Sequence, residues 1–257
     1  MDKIDYIEGH VAFIDILGFS NLVLDKDNAD KVKDVTEFVG KFQYFFNSSP
    51  KLRTKVAFFS DSIVLTTDDT SDLGMLFLAI WIAESYLYSK TGLLFRGGIS
   101  RGLFYHNEAI AFGPAIINSY RLENQANYSR IIIQDEIVNG LPEIPASIFK
   151  DIDGKYCFNP CAIGMLRNTP DSTEPTKEQF LKSFEEEREF VLKVIMDNLH
   201  TPVSDKYLWR MRAFNMMCEL IPDTFKAYNI ELNDDELSEL NKKKISLDNF
   251  WDLRVYE

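Results

Sequence analysis

An isolated carboxylate lies within the most strand-like segment of this 257-residue sequence. The segment VAFIDILGFS, residues 11–20, is apolar up to Gly18 except for Asp15. A buried and unpaired carboxylate normally takes up a proton, because a charge is costly away from water. The fold must therefore place something beside Asp15 that makes a negative charge acceptable there.

The order of the apolar segments predicts a mixed α/β (α+β) fold. Residues 10–17 are typical of a strand, and the segment that follows has apolar residues at the spacing of a helix. The runs KVAFF and SIVLTT predict a β-hairpin across Ser60 and Asp61, and a second helix is expected over residues 72–90. LLFRGGIS and LFYH are expected to be separate strands. This β-α-β-β-α-β order predicts a ferredoxin-like core.

A change of composition near Arg167 predicts a domain boundary. The segment RNTPDSTEPTKE is polar, contains two prolines and is typical of a linker. Beyond it, apolar residues recur on helical faces. We therefore expect one domain over residues 1–166 and a helical C-terminal extension over residues 167–257.

Charge and hydropathy exclude several classes of partner. With 28 Lys and Arg against 40 Asp and Glu, the net charge is −12, which disfavours binding to nucleic acid or to an anionic membrane. No signal-peptide pattern opens the chain, and the apolar run at residues 73–83 is too short to span a bilayer. We expect this run to be a buried helix or a subunit interface. The cysteines are odd in number and indicate reduced thiols in a cytoplasmic protein: Cys157, Cys161 and Cys218.

Asp15 and Asp61 are predicted to converge. In a β-α-β-β arrangement the first and third strands are neighbours, so the end of the first strand meets the hairpin that carries Asp61. Two carboxylates about 4 Å apart repel by about 4 kcal/mol at an effective dielectric constant near 20. They therefore either share a proton or hold a divalent cation, and hard oxygen ligands favour Mg²⁺ or Mn²⁺.

The turn after Asp15 has the composition of an anion site. Leu17, Gly18 and Phe19 follow the strand directly, and Gly18 has no Cβ to block a ligand. Backbone N–H groups at a turn that leads towards a helix bind anions. Carboxylates that bind metal beside such a turn indicate a nucleoside triphosphate.

Further motifs follow in a specific order: RGGISRGLFY from Arg96, then AFGPAIINSYRLENQA, then SRIIIQDEIV. Together with FIDILGF, this order resembles the class III nucleotide cyclases over residues 11–138, roughly half of the chain. Within that superfamily the sequence is most similar to the bacterial pyrimidine cyclases of Pycsar anti-phage defence. Those proteins share the F-x-D-I-L-G-F opening, an S-D-S hairpin, a G-x-A-x-I-x-x-Y-x-L-E helix and a helical tail with K-Y-x-W. The matching segments here are FIDILGF, SDS, GPAIINSYRLE and KYLW.

The resemblance implies roles for individual residues. Asp15 and Asp61 match the side-chain ligands of two divalent cations, Mn²⁺ or Mg²⁺, with the carbonyl of Ile16 assisting. The turn from Leu17 to Phe19 would hold the β- and γ-phosphates. Arg96 matches an arginine that contacts the triphosphate, and its alternative role is a strand-edge arginine paired with a surface acid.

The sequence departs from the purine cyclases at both positions that read the base. A lysine four residues before the second metal aspartate is replaced by Ala57, and the second base-reading residue falls near Ile110. Neither side chain can form a hydrogen bond, and a site that reads adenine or guanine needs such partners. These departures disfavour ATP and GTP and agree with a smaller pyrimidine base.

The Asn-x-x-x-Arg pair that stabilises the transition state in the superfamily is incomplete. Arg121 falls at the arginine position, but Ile117 occupies the asparagine position and Asn118 lies one residue later. A shift of one residue turns a helical side chain by roughly 100°. Charge stabilisation would rest on Arg121 with the cations, or on Arg130, and the sequence leaves this open.

The resemblance implies a lyase that converts UTP or CTP into the 3′,5′-cyclic nucleotide and pyrophosphate. Class III sites form between two catalytic domains, so a homodimer is expected, with Asp15 and Asp61 of one subunit facing Arg121 of the other. The product would act through a separate effector that binds cyclic nucleotides. The alternatives are a catalytically silent module for dimerisation or ligand sensing, a purine cyclase, and an unrelated metal-dependent phosphotransferase.

Overall fold

A computed structural model describes residues 5–49, 51–68, 73–107, 110–164, 176–199, 201, 204–227 and 231–246. The chain divides into two compact units. The first comprises residues 1–144 and 150–158, and the second comprises residues 145–149 and 159–257. The domain boundary expected at residues 166–167 lies outside the described residues, as does most of the predicted linker.

The first unit contains the predicted β-α-β-β-α-β order, which confirms the expected fold class. Its elements, with a 3₁₀ turn at Lys26–Asn28, are β1 (Ile7–Ile16), α1 (Phe19–Leu24), α2 (Ala29–Ser48), β2 (Thr54–Phe59), β3 (Ser62–Thr67), α3 (Leu73–Thr91), β4 (Phe95–His106), β5 (Ala111–Phe112), α4 (Pro114–Glu123), β6 (Ile131–Ile133) and α5 (Asp135–Asn139). Strand β7 (Ile148–Lys150) spans the boundary of the two units, and β8 (Tyr156–Phe158) follows it.

The sheet of the first unit runs in the order β2-β3-β1-β4-β6-β8. Strands β2, β3, β1 and β4 are antiparallel to their neighbours, as in a ferredoxin-like core, and β6 joins β4 in parallel. The expectation of separate strands at LLFRGGIS and LFYH is wrong, because β4 runs continuously through both. Gly102, at φ 151°, continues the pairing opposite Gly9 of β1.

Helices cover both faces of the four-stranded core. On one face α2 packs through the ring of Phe42 against Phe58 of β2, and Phe38 of α2 stacks on Tyr86 of α3. On the other face α4 packs on β1 and β4. Because side chains alternate along a strand, odd-numbered residues of β1 such as Asp15 face α4.

Helix α3 belongs to the core, which decides between the two roles that its apolar sequence allowed. Its buried side chains lie on several sides of the helix: Leu73, Leu76, Phe77, Ala79, Ile80, Ala83, Glu84, Leu87 and Tyr88. Only a helix surrounded by protein can bury so wide a surface. Within the part of the chain that the structure describes, no helix is both long and apolar enough to cross a bilayer.

The second unit is helical, as expected, with α6 (Pro160–Gly164), α7 (Lys177–Asn198), α8 (Ser204–Ala227) and α9 (Asp234–Lys242). Helix α7 begins with a capping box in which Thr176 and Gln179 bond to each other's backbone. Phe184 of α7 contacts Phe214 of α8, with the ring centroids 5.4 Å apart. This contact joins the two long helices of the unit, and α6 and α9 also pack against α8.

Candidate active site

The end of β1 meets the hairpin between β2 and β3. The Ile16 N–H donates to the Asp61 carbonyl oxygen at 2.8 Å, while Asp15 lies opposite Ser62 of β3 and opposite Arg96 of β4. Asp15 and Asp61, 46 positions apart in the sequence, therefore lie at the same edge of the sheet. The strand order produces this convergence, because β3 is the neighbour of β1.

The hairpin presents Asp61 on a tight two-residue turn. Phe59 pairs with Ser62, so only Ser60 and Asp61 connect the two strands. Ser60 has a φ of 56°, in the left-handed region that short hairpin turns require. A residue other than glycine is strained there by roughly 1 kcal/mol or more, which indicates that the surrounding pairing holds the turn in place.

Arg96 is ion-paired to two carboxylates. Its Nη2 donates to Asp15 Oδ2 at 2.8 Å and lies 2.7 Å from Glu123 Oε1. The side chains of Asp15, Arg96 and Glu123 are 21%, 29% and 5% exposed, so the cluster runs from solvent into the interior between β4 and α4. The carboxylate at residue 15 is thus made acceptable by a guanidinium on the adjacent strand.

Glu123 is the site residue that sequence reasoning missed. The signal for it was the final acid of the SYRLE segment, two positions after Arg121. Burial raises the pKa of Glu123 above its ordinary value, Arg96 lowers it, and the negative charges of Asp15 and Asp61 raise it. Three carboxylates and one guanidinium therefore share a single electrostatic neighbourhood.

The turn after β1 has the open backbone that the sequence predicts. Gly18 has a φ of 82° and is the N-cap of α1, and the Leu17 N–H donates to the Leu94 carbonyl at 2.9 Å. Only glycine adopts this conformation without strain. The Asn21 N–H already donates to the Gly18 carbonyl at 3.1 Å, so the N–H groups that precede it in the first turn are the ones available to a ligand.

The structure does not bring Arg121 to Asp15 and Asp61 of the same chain. Arg121 and Glu123 are two residues apart on α4, which rotates their side chains by roughly 200°. Glu123 faces the sheet, so Arg121 is exposed on the other side of the helix, beside the exposed side chains of Ile117 and Tyr120. Asn118, half-buried, lies between these surfaces.

Arg130 occupies a different environment. Its guanidinium is 2% exposed and forms ion pairs with Asp151 at 2.7 Å and with Asp153 at 2.6 Å. It also lies 5.5 Å from the centre of the Tyr128 ring. These contacts stabilise the segment before β6, and the two carboxylates neutralise the charge of Arg130 within the fold.

The two positions expected to contact the base are separated from Asp15 within one chain. Ala57 lies on β2 opposite Val64. Ile110 lies between β4 and β5, where its carbonyl accepts from the Asn107 N–H at 3.0 Å. Asp15 pairs with the start of β4, whereas this connection follows the end of that strand, roughly 30 Å away at about 3.3 Å per residue.

The residues at this edge fit a divalent cation as a minimal oxygen site. Asp15 and Asp61 supply two carboxylates of the kind that Mg²⁺ and Mn²⁺ prefer. Among the described residues, no group of three or more His, Cys, Asp or Glu side chains has the geometry of a metal site. A cation held here would therefore take its other ligands from water and phosphate oxygens.

No family model matches the sequence, and no curated protein matches it. Among solved structures, the chain is similar to the adenylyl cyclase CyaB from P. aeruginosa, with 15% identity over 52% of this chain and 80% of that chain, at a TM-score of 0.39. It is also similar to the guanylyl cyclase Cya2, with 14% identity over 60% and 91% of the two chains and a TM-score of 0.41. A bacterial light-regulated adenylyl cyclase has 15% identity over 71% and 99%, at a TM-score of 0.39. At these identities and TM-scores, the likeness establishes neither the family nor the activity of this chain.

Proposed function

We propose that this protein is a class III nucleotide cyclase that converts UTP (or CTP) into the 3′,5′-cyclic monophosphate and pyrophosphate. The observation that carries the proposal is the 2.8 Å bond between Ile16 and Asp61, which brings Asp15 and Asp61 together beside the Gly18 turn. This is the arrangement that a reaction on a metal-bound triphosphate requires. The order of motifs over residues 11–138 supports the same reaction.

In the proposed mechanism, the ribose 3′-oxygen forms a bond to the α-phosphorus while its proton passes to solvent, and the bond from the α-phosphorus to the β-phosphate oxygen breaks so that pyrophosphate leaves. Asp15 and Asp61 would hold two divalent cations, Mn²⁺ or Mg²⁺, and the Ile16 carbonyl would assist. When bound, the cations lower the pKa of the 3′-OH and offset the charge that develops on the α-phosphate. The backbone of Leu17, Gly18 and Phe19 orients the leaving β- and γ-phosphates.

The proposed active enzyme is a homodimer with composite sites. Arg121 is exposed, whereas Glu123 of the same helix is buried beside Arg96, and no ion pair joins Arg121 to Asp15 or Glu123 among the described residues. A second copy of the chain would supply its Arg121 to stabilise the charge of the transition state. The ion pairs that buried Arg130 forms with Asp151 and Asp153 support the choice of Arg121 over Arg130.

The proposed substrate class rests on Ala57 and Ile110, whose side chains offer no hydrogen bond to a purine edge. A pyrimidine base needs a smaller site and fewer partners at these positions. We further propose that the enzyme is cytoplasmic and serves anti-phage defence, where its cyclic nucleotide activates a separate effector.

The direct test incubates the purified protein with Mn²⁺ and each of the four ribonucleoside triphosphates and identifies the products by mass. We expect a cyclic pyrimidine nucleotide, and a loss of at least roughly 100-fold in rate for Asp61→Asn. Asp68→Asn is the matched control, because Asp68 follows the other end of β3 and pairs with Arg53. A cyclic purine product would overturn the substrate assignment, and bound but unchanged nucleotides would establish a silent module.

The composite site has its own test. An equal mixture of the inactive variants Asp61→Asn and Arg121→Ala forms heterodimers that retain one intact site, so roughly a quarter of wild-type activity should return. If the mixture stays inactive although the subunits exchange, each site is built from a single chain.

A further inference from the structure

We propose that Arg96 is an internal counter-ion of Asp15, which a metal–nucleotide complex displaces, and that Glu123 is the positioning residue that receives the displaced guanidinium. This inference rests on the proposed function, because it describes the same site before substrate binds. Arg96 would pair first with Asp15, in the free enzyme, and then with the triphosphate, in the complex. Glu123 would anchor Arg96 in both states.

Arg96 already occupies the carboxylate that is expected to bind metal. Arg96 and Asp15 are paired across neighbouring strands, and Nη2 donates to Asp15 Oδ2 at 2.8 Å. Their positions follow from the register of β1 and β4, so the ion pair is part of the folded sheet. A divalent cation that approaches Asp15 meets a like charge at this oxygen and must displace it.

The guanidinium of Arg96 is held in a way that allows it to turn. Both ion pairs use the single nitrogen Nη2, so neither has the two parallel bonds that fix an arginine in one orientation. Within the described residues, the buried Arg96 Nε also has no hydrogen-bond acceptor. A rotation that moves Nη2 away from Asp15 therefore breaks the single bond to that carboxylate and no bond of Nε.

Glu123 is placed to accept hydrogen bonds from the guanidinium of Arg96 when it turns. Its Oε1 lies 2.7 Å from Nη2, yet no donor among the described residues is aligned with this buried oxygen. A buried acceptor without an aligned donor is costly, and a turn of Arg96 away from Asp15 would improve the alignment. Glu123 itself is fixed, because α4 lies directly against Gly98 of β4, two residues from Arg96.

This arrangement couples cation binding to nucleotide binding. Without nucleotide, Arg96 neutralises Asp15 and opposes a cation bound there. When the triphosphate enters with its cation, its negative charge attracts the guanidinium that the cation repels. Arg96 then bridges Glu123 and the phosphates, and both carboxylates at the sheet edge become available. The free enzyme is thus protected from binding cations that carry no substrate.

The test measures Mn²⁺ binding to the full chain without nucleotide, from the electron paramagnetic resonance signal of free Mn²⁺. Arg96→Gln removes the competing charge and should tighten Mn²⁺ binding roughly tenfold. Glu123→Gln leaves the guanidinium to Asp15 and should weaken Mn²⁺ binding and raise the KM for nucleotide. Arg96→Lys keeps a cation beside Asp15 and should stay near the wild type.

Arg101→Gln is the matched control, because Arg101 lies on the same strand and pairs with exposed Glu8 at 2.9 Å. It should leave Mn²⁺ affinity unchanged. A merely structural role for Arg96 predicts that Arg96→Gln and Glu123→Gln both weaken binding, and that result would overturn the inference if circular dichroism shows both variants folded. If Arg96→Gln unfolds, the Mn²⁺ affinities of Arg96→Lys and Glu123→Gln test the inference instead. A Mn²⁺ affinity of Glu123→Gln equal to that of the wild type also refutes the inference.

Failure of this inference and failure of the proposed function are distinguishable. Cyclic product without tighter Mn²⁺ binding in Arg96→Gln refutes the counter-ion role alone. Tighter Mn²⁺ binding without any cyclic product refutes the cyclase reaction alone. Wild-type protein that, with nucleotide present, binds no more Mn²⁺ than Asp15→Asn refutes both.

Discussion

Substitution of Gly98 by alanine should damage the fold and the candidate site together. A Cβ at Gly98 would lie 2.3 Å from the Ser119 carbonyl oxygen, 2.4 Å from Leu122 Cβ and 2.9 Å from the Glu123 nitrogen. Ordinary contact begins at 3.4 Å, so α4 would have to retreat by 3.4 − 2.3, or about 1.1 Å. Overpacking costs about 1–3 kcal/mol, and we expect about 3 kcal/mol because two of the three atoms are backbone and cannot rotate away.

The same displacement carries Glu123 away from Arg96. Their 2.7 Å ion pair would lengthen to about 3.8 Å, beyond the range of a strong charge-assisted contact. We therefore expect the proposed cyclase activity to fall with stability in Gly98→Ala. Stability is measured by urea unfolding followed by circular dichroism, and activity by product mass under conditions where the variant is fully folded.

Gly40→Ala is the matched control for this prediction. Gly40 lies on the exposed face of α2, and no atom of the described residues would lie within 4 Å of a Cβ placed there. Alanine is favoured over glycine inside a helix, so the free energy of unfolding of this variant should rise by about 0.5–1 kcal/mol. Gly98→Ala with the stability of the wild type would refute the claim that α4 is locked against β4 at this residue.

Two further predictions concern buried charge and pH. Arg130→Gln should destabilise the protein by about 3–5 kcal/mol in urea unfolding, because it deprives the buried carboxylate of Asp151 of its guanidinium; a change below about 1 kcal/mol would contradict this. Burial, and then the positive charge of Lys55, lower the pKa of His106 to about 4. The unfolded chain takes up a proton below about pH 6.5 while the folded state does not. Stability should therefore fall as the pH falls from about 6.5 to 4, by about 1–2 kcal/mol after allowance for partial exposure, and His106→Gln should remove that part of the pH dependence.

Much of the fold could be predicted because local patterns specify its elements. The helical spacing of apolar residues in α2 and the short apolar runs of β2 and β3 are properties of consecutive residues. The continuous strand β4 could not be predicted in the same way. Its glycines are typical of a break, but β4 continues through them, and a Cβ at Gly97 would lie 2.6 Å from the Phe13 carbonyl oxygen of β1. The glycines serve close strand packing, which is a long-range requirement.

In the candidate site, too, some features follow from local sequence and others depend on tertiary packing. The sequence by itself determined that Asp15 and Asp61 meet, since connectivity in a β-α-β-β unit makes the first and third strands neighbours. Only the tertiary structure decided what else lies beside them. Arg96 reaches Asp15 across 81 positions, and Glu123 joins them because α4 packs against Gly98 with that face towards the sheet. Strand order follows from the order of segments along the chain, whereas the partners of each side chain depend on register and helix rotation, which packing sets.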